Sequence, residues 1–132
     1  MRTLIILSLL FFVVACMETP TVNMQAVAHG QELYETHCAN CHQQDGKGLA
    51  RIVPPLLNAD YLTLYRDSLP NIIYHGMHYP IVVNGIMYQQ KMPENSKLSM
   101  QELTAVINFV EFRFAKLTQL LSIDSVELLL RK

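Results

Sequence analysis

The sequence predicts a small all-α domain, on three observations. Apolar residues recur at helical period from Leu103 through Val106, Ile107, Val110, Phe114, Leu117 and Leu121. Leu33 and Tyr34 stand at helical spacing from His37 and Cys38. Between these stretches only the run Pro80-Ile81-Val82-Val83, bracketed by Gly76 and Gly85, reads as extended. A chain of 132 residues leaves room for one compact domain and little else.

The first element precedes that domain. Met1-Arg2-Thr3 leads into an apolar run from Leu4 to Val14, interrupted only by Ser8. A basic start, a short apolar run and small residues at its end predict a secretory signal over 1–15, too short to span a bilayer comfortably. The signal closes on Val13-Val14-Ala15-Cys16, which resembles the lipobox of bacterial lipoproteins. That resemblance implies cleavage before Cys16, lipidation of its sulfur, and a membrane anchor to which each buried methylene contributes ~0.8 kcal/mol. The alternative is ordinary cleavage near Ala15, which leaves Cys16 as an unpaired thiol. Residues 16–28, with Pro20 and no clear periodicity, read as a tether.

The domain itself is expected over 29–112. A helix is predicted from His29 to Cys41, then a loop marked by Gly46, Gly48, Pro54 and Pro55. Short helices are expected near Ala59–Arg66 and Leu69–His75, and a further loop over Lys91-Met92-Pro93-Glu94-Asn95. Ser99 with Glu102 three residues on is a capping-box signature for the last long helix. Its apolar stripe runs on past residue 112, so a C-terminal helical extension of two or more turns is expected over 113–132, broken at Ser122–Ser125. Packing on the domain itself is the preferred arrangement for it, since soluble domains seldom expose that much apolar surface.

The chemistry concentrates at Cys38-Ala39-Asn40-Cys41-His42. Two thiols separated by two residues and followed at once by histidine form the attachment signature for c-type haem. Cysteines three apart lie on one side of a helical turn, where both sulfurs can form thioethers to a single macrocycle. The histidine is then held beneath the iron, so His42 is the expected proximal ligand. A structural zinc site would need a second pair of ligands, and a thioredoxin-type pair would prefer a βαβ setting. A plain disulfide between Cys38 and Cys41 stands as an alternative, one that gives His42 no role. The cysteine count of three is odd, and lipid on Cys16 with haem on Cys38 and Cys41 leaves no thiol over.

From 28 to 112 the chain resembles the class I c-type cytochromes. Gly30 and Tyr34 ahead of the signature, then Gly46-Lys47-Gly48, Pro54-Pro55-Leu56, Val83-Asn84-Gly85 and Met92-Pro93 before a capped helix carry the likeness. It implies a small cytochrome c fold, helices wrapped around one covalently bound haem c. It further implies that the Pro54 carbonyl supports the proximal histidine, that the Met92 sulfur closes the sixth position, and that Val106 and Phe109 approach Gly30 and Tyr34. Leu56, Leu57, Ile72, Ile73 and Tyr88 are expected around the macrocycle. Met77 and His78 are the chief rivals of Met92, with His75 a further candidate, while Met87 and Met100 read as packing residues.

A six-coordinate iron leaves no position for substrate, so the expected function is single-electron transfer rather than enzymatic turnover. The expected protein is exported and lipid-anchored on the periplasmic side of a bacterial membrane. Its expected partners are redox proteins: a respiratory complex, oxidase, reductase or dehydrogenase. Two alternatives stand beside the free carrier, a haem-bearing subunit of a periplasmic oxidoreductase and a gas sensor with a labile sixth position. With 10 basic and 11 acidic residues and no block of like charge, nucleic-acid binding has no support. Lys47, Arg51, Lys91 and Lys97 suggest a mildly basic rim for an acidic partner.

Overall fold

Asn23 opens the first helix of the computed structural model, which describes residues 23–131. Its side-chain oxygen accepts from the backbone of Gln25 and Ala26 and caps α1, Met24–His37. The helix therefore starts five residues before the expected His29, and Val27, assigned to the tether, belongs to its buried face with Gly30, Leu33 and Tyr34. The expected signal over 1–15 and Cys16 lie outside the described residues.

At Cys38 the backbone leaves helical geometry, and a separate turn, α2, Ala39–His42, follows. The single helix expected to Cys41 is thus broken at the first cysteine. The loop after it folds back on itself: the Gly46 carbonyl accepts from Leu56 and Leu57 at 2.7 and 2.9 Å, and Gly48 donates to the His42 carbonyl at 3.0 Å. Next come α3, Asp60–Leu64, a 3-10 turn at Arg66–Ser68, and α4, Leu69–His75, with a proline in its first turn.

The all-α expectation needs one addition. Ile81–Val83 (β1) and Ile86–Tyr88 (β2) pair antiparallel across Asn84-Gly85, both at positive φ. Asn-Gly accepts that conformation readily and makes the tight two-residue hairpin turn. Asp60 and Asn84 exchange backbone-to-side-chain hydrogen bonds of 2.8 and 3.0 Å, which pin the hairpin to α3.

The longest helix among the described residues, α5, Met100–Phe114, opens on the expected capping box: Ser99 receives the Glu102 amide while the Glu102 carboxylate receives that of Ser99. It packs across α1. Gly30 makes the crossing possible, because a Cβ there would drive into the Ala105 carbonyl oxygen and lie 2.8 Å from the Phe109 Cβ. Tyr34 stacks obliquely on Phe109 and Phe114, with centroids 5.3 Å away in each case. The expected approach of Phe109 to Gly30 and Tyr34 is what the helices form.

Beyond Phe114 the chain departs from the expected continuous helix. Ala115 caps α5, and Lys116 at φ 58° turns the chain away. Two buried polar groups on α5 receive the returning segment. Asn108 donates to the Leu121 carbonyl at 3.0 Å and accepts its amide at 2.8 Å. Glu111, fully buried, is held through both oxygens at 2.7 Å by Arg66, which also donates to the Gln119 carbonyl. Ser122 then caps a short helix, α6, Ile123–Leu130. Val126 and Leu129 are buried against α4 and α5, so the extension packs on its own domain.

Candidate functional site

The site begins with the turn that carries both thiols. The amides of Cys41 and His42 donate to the Cys38 carbonyl at 3.1 and 2.9 Å, so the signature closes on itself as one turn. Cys38 is partly buried and Cys41 exposed. Burial, reinforced by the neighbouring Cys41, pushes the Cys38 thiol up to about 11. Tyr34 holds the turn from behind: its hydroxyl donates to the Gln43 carbonyl at 2.6 Å. Burial keeps that phenol above its ordinary range.

His42 is buried, with Nδ1 3.1 Å from the Pro54 carbonyl. That carbonyl can only accept, so the proton sits on Nδ1 and Nε2 carries the free lone pair. Burial lowers the ring's proton affinity, opposed in part by the Pro54 hydrogen bond. The imidazole is thereby kept neutral, the form that binds metal.

His42 opens onto a largely apolar cleft made of two adjoining cavities. His42, Pro54, Met77, Ile81 and Met92 belong to both walls. Cys38 lies on the first cavity and Cys41 on the second, so the two thiols flank one continuous slot. Leu56, Ile72 and Ile73 line the first and Tyr88 the second, as expected; Leu57 packs against the core without lining either. The donor set of two thiols, a neutral imidazole and thioether sulfur on apolar walls suits a flat, apolar iron macrocycle. The residues present fit haem c.

Met92 reaches this cleft from the loop after β2, and the backbones of Met92 and Met77 pair antiparallel through two 2.9 Å hydrogen bonds. Both methionines line both cavities. His75, His78 and Met87 are exposed and line neither, and Met100 packs against the core elsewhere. The rivals of Met92 thus narrow to Met77, whose presence beside it the linear sequence did not reveal. Of the basic rim, Lys91 lines the slot, whereas Lys47 is paired at 2.8 Å with Asp45.

Comparison with known proteins agrees with this geometry. The cytochrome c subunit of a quinone alcohol dehydrogenase from Gluconacetobacter polyoxogenes is 39% identical over 97 residues, 68% of this chain and 20% of that protein. A cytochrome c-552 of Thermus thermophilus is 34% identical over 89 residues, 64% of this chain and 60% of that protein. The chain therefore spans about a fifth of the dehydrogenase subunit and three fifths of cytochrome c-552. The family model for cytochrome c matches residues 27–112, a span that contains every residue lining the cleft. The chain belongs to the cytochrome c family, and Cys38 and Cys41 fit that family's covalently bound haem c.

Proposed function

We propose that this protein is an exported, membrane-tethered single-electron carrier. Cys38 and Cys41 would hold its haem covalently, and His42 and Met92 would each give a lone pair to the iron. The observation that carries this reading is the meeting of a Pro54-supported His42 and Met92 on one apolar slot. When bound, haem c supplies a one-electron ferric–ferrous couple.

The chain's own residues set the terms of that couple. Pro54 fixes the orientation and tautomer of His42 and raises the basicity of Nε2. The Met92 thioether, a neutral donor, favours the ferrous state and so raises the potential relative to a second histidine. Leu56, Ile72 and Ile73 exclude water from the slot. If His42 and Met92 both bound the iron, neither substrate nor gas would have a place to bind, as a carrier requires.

The tethering rests on the sequence. Residues 1–15 supply the export signal, Cys16 the lipid, and the following residues the tether, ahead of the cytochrome domain and the extension from 113. The carrier would exchange electrons with membrane respiratory complexes, an oxidase or a reductase on the periplasmic side. A second reading makes it a haem-bearing subunit of a periplasmic dehydrogenase, favoured by the likeness to the alcohol dehydrogenase subunits.

Carbon monoxide tests the closed site. The native ferrous protein is expected to bind it slowly or not at all; rapid binding would favour the gas sensor. Cys16→Ser is expected to move the protein from the membrane to the soluble fraction, and unchanged membrane association would remove the lipid anchor.

A further inference from the structure

We propose that Met77 is a reserve thioether for the iron, taking the sixth position when the sulfur of Met92 is withdrawn. This rests on the reading of His42 and Met92 as the axial pair. The two methionines form a directly opposed antiparallel pair, each donating its amide to the other's carbonyl at 2.9 Å. Residues so paired project their side chains to the same face. Here that face is the slot, and both line both of its cavities together with His42.

The approach of the two segments depends on Gly76. It takes φ 75° at the end of α4, and a Cβ there would lie 2.6 Å from the Met92 carbonyl oxygen. Any side chain at 76 would push Met77 and Met92 apart.

Their anchorage differs. Met77 is 7% exposed and follows α4 across Gly76, and the Leu69, Pro70, Ile72 and Ile73 of that helix are buried. Met92 is more exposed and sits in a stretch without helix or strand, tied down by its pairing with Met77 and by the Asn95 amide on the carbonyls of Ile73 and Tyr74. Opening of that loop withdraws Met92 and leaves the buried Met77 in place beyond the end of α4. One thioether lone pair then replaces another, with no change in charge or electron count, and the iron stays closed to small ligands. The ordinary role of a buried methionine is to fill space, and a filler would leave the iron open.

The test compares holoprotein variants Met92→Ala, Met92→Leu, Met77→Leu and Met77→Leu/Met92→Ala. Two signals are read: the weak ferric charge-transfer band of thioether ligation, and the rate of carbon monoxide binding to the ferrous form. Met92→Ala and the volume-conserving Met92→Leu are expected to keep a charge-transfer band that the double variant lacks. A reserve ligand occupying the iron nine-tenths of the time makes carbon monoxide binding to Met92→Ala about tenfold slower than to the double variant. Loss of the band in both Met92 variants, with binding as fast as in the double variant, overturns the reserve role and leaves Met92 as native ligand. If Met77→Leu alone erases the band while the Met92 variants keep it, Met77 is the native ligand, and both the proposal and the axial assignment fall.

Discussion

Gly30→Ala probes the contact that brings the long helices together. The added methyl meets the Ala105 carbonyl and the Phe109 Cβ, backbone and near-backbone atoms that no rotamer change can move aside. Overpacking of this kind costs about 1–3 kcal/mol, and a rigid partner argues for the upper part of that range. Alanine recovers about 0.8–1 kcal/mol of helix propensity relative to glycine. The net loss is therefore about 1–2 kcal/mol. At about 4–8 °C per kcal/mol for a domain near this size, the melting temperature of the holoprotein falls by roughly 5–15 °C. Thermal unfolding followed by far-ultraviolet circular dichroism measures it. A variant that melts at or above the native temperature would refute the close helix crossing, because propensity alone would then decide the sign.

Asn108→Ala leaves the amide and carbonyl of Leu121 without their partner. A loss of about 1–3 kcal/mol is expected, with faster amide exchange across 115–130; unchanged exchange there would contradict the anchoring role. His42 is depressed as a base by burial, so the folded protein resists a proton that the unfolded chain accepts below ~6.5. The stability associated with neutral His42 is thus complete above that pH and lost as pH falls. Iron on Nε2 would compete with that proton, so the low-spin ferric spectrum is expected to survive acidification through ~6.5, and failure at or above that pH would contradict the assignment. A chain prepared without haem lacks the group that fills the slot, and a broad, weakly cooperative thermal transition is expected. A sharp one would show that the apolar walls close on themselves.

The chemistry of the site was legible because it is local. Cys38, Cys41 and His42 declare themselves by spacing, and a turn that closes on the Cys38 carbonyl holds them as a unit. The Ser99–Glu102 box likewise marks a helix start with side chains only three residues apart. Pro54 and Met92 required the family resemblance, since nothing local brings a residue 12 positions away onto His42 Nδ1. The pairing of Met77 with Met92 depends on the reversal at Gly76 and remained hidden. The hairpin was readable in principle: Asn84-Gly85 between two apolar runs is its ordinary signal, masked by strands of only three residues.

The C-terminal stripe misled for a physical reason. Leu117 and Leu121 keep helical spacing, but the buried Asn108 and Glu111 on α5 need hydrogen-bond partners. The returning chain supplies them through Leu121 and, by way of Arg66, Gln119. Satisfying two buried polar groups outweighed two more helical turns. Ser122, expected as an interruption, caps the helix that follows.

The central claim is that Cys38 and Cys41 hold one haem covalently beside His42. A pyridine haemochrome spectrum of the purified protein, taken after acid–acetone extraction, tests it most directly. The account predicts a c-type spectrum that stays with the polypeptide at one haem per chain. Haem that passes into the solvent, or a chain that carries none, would contradict it.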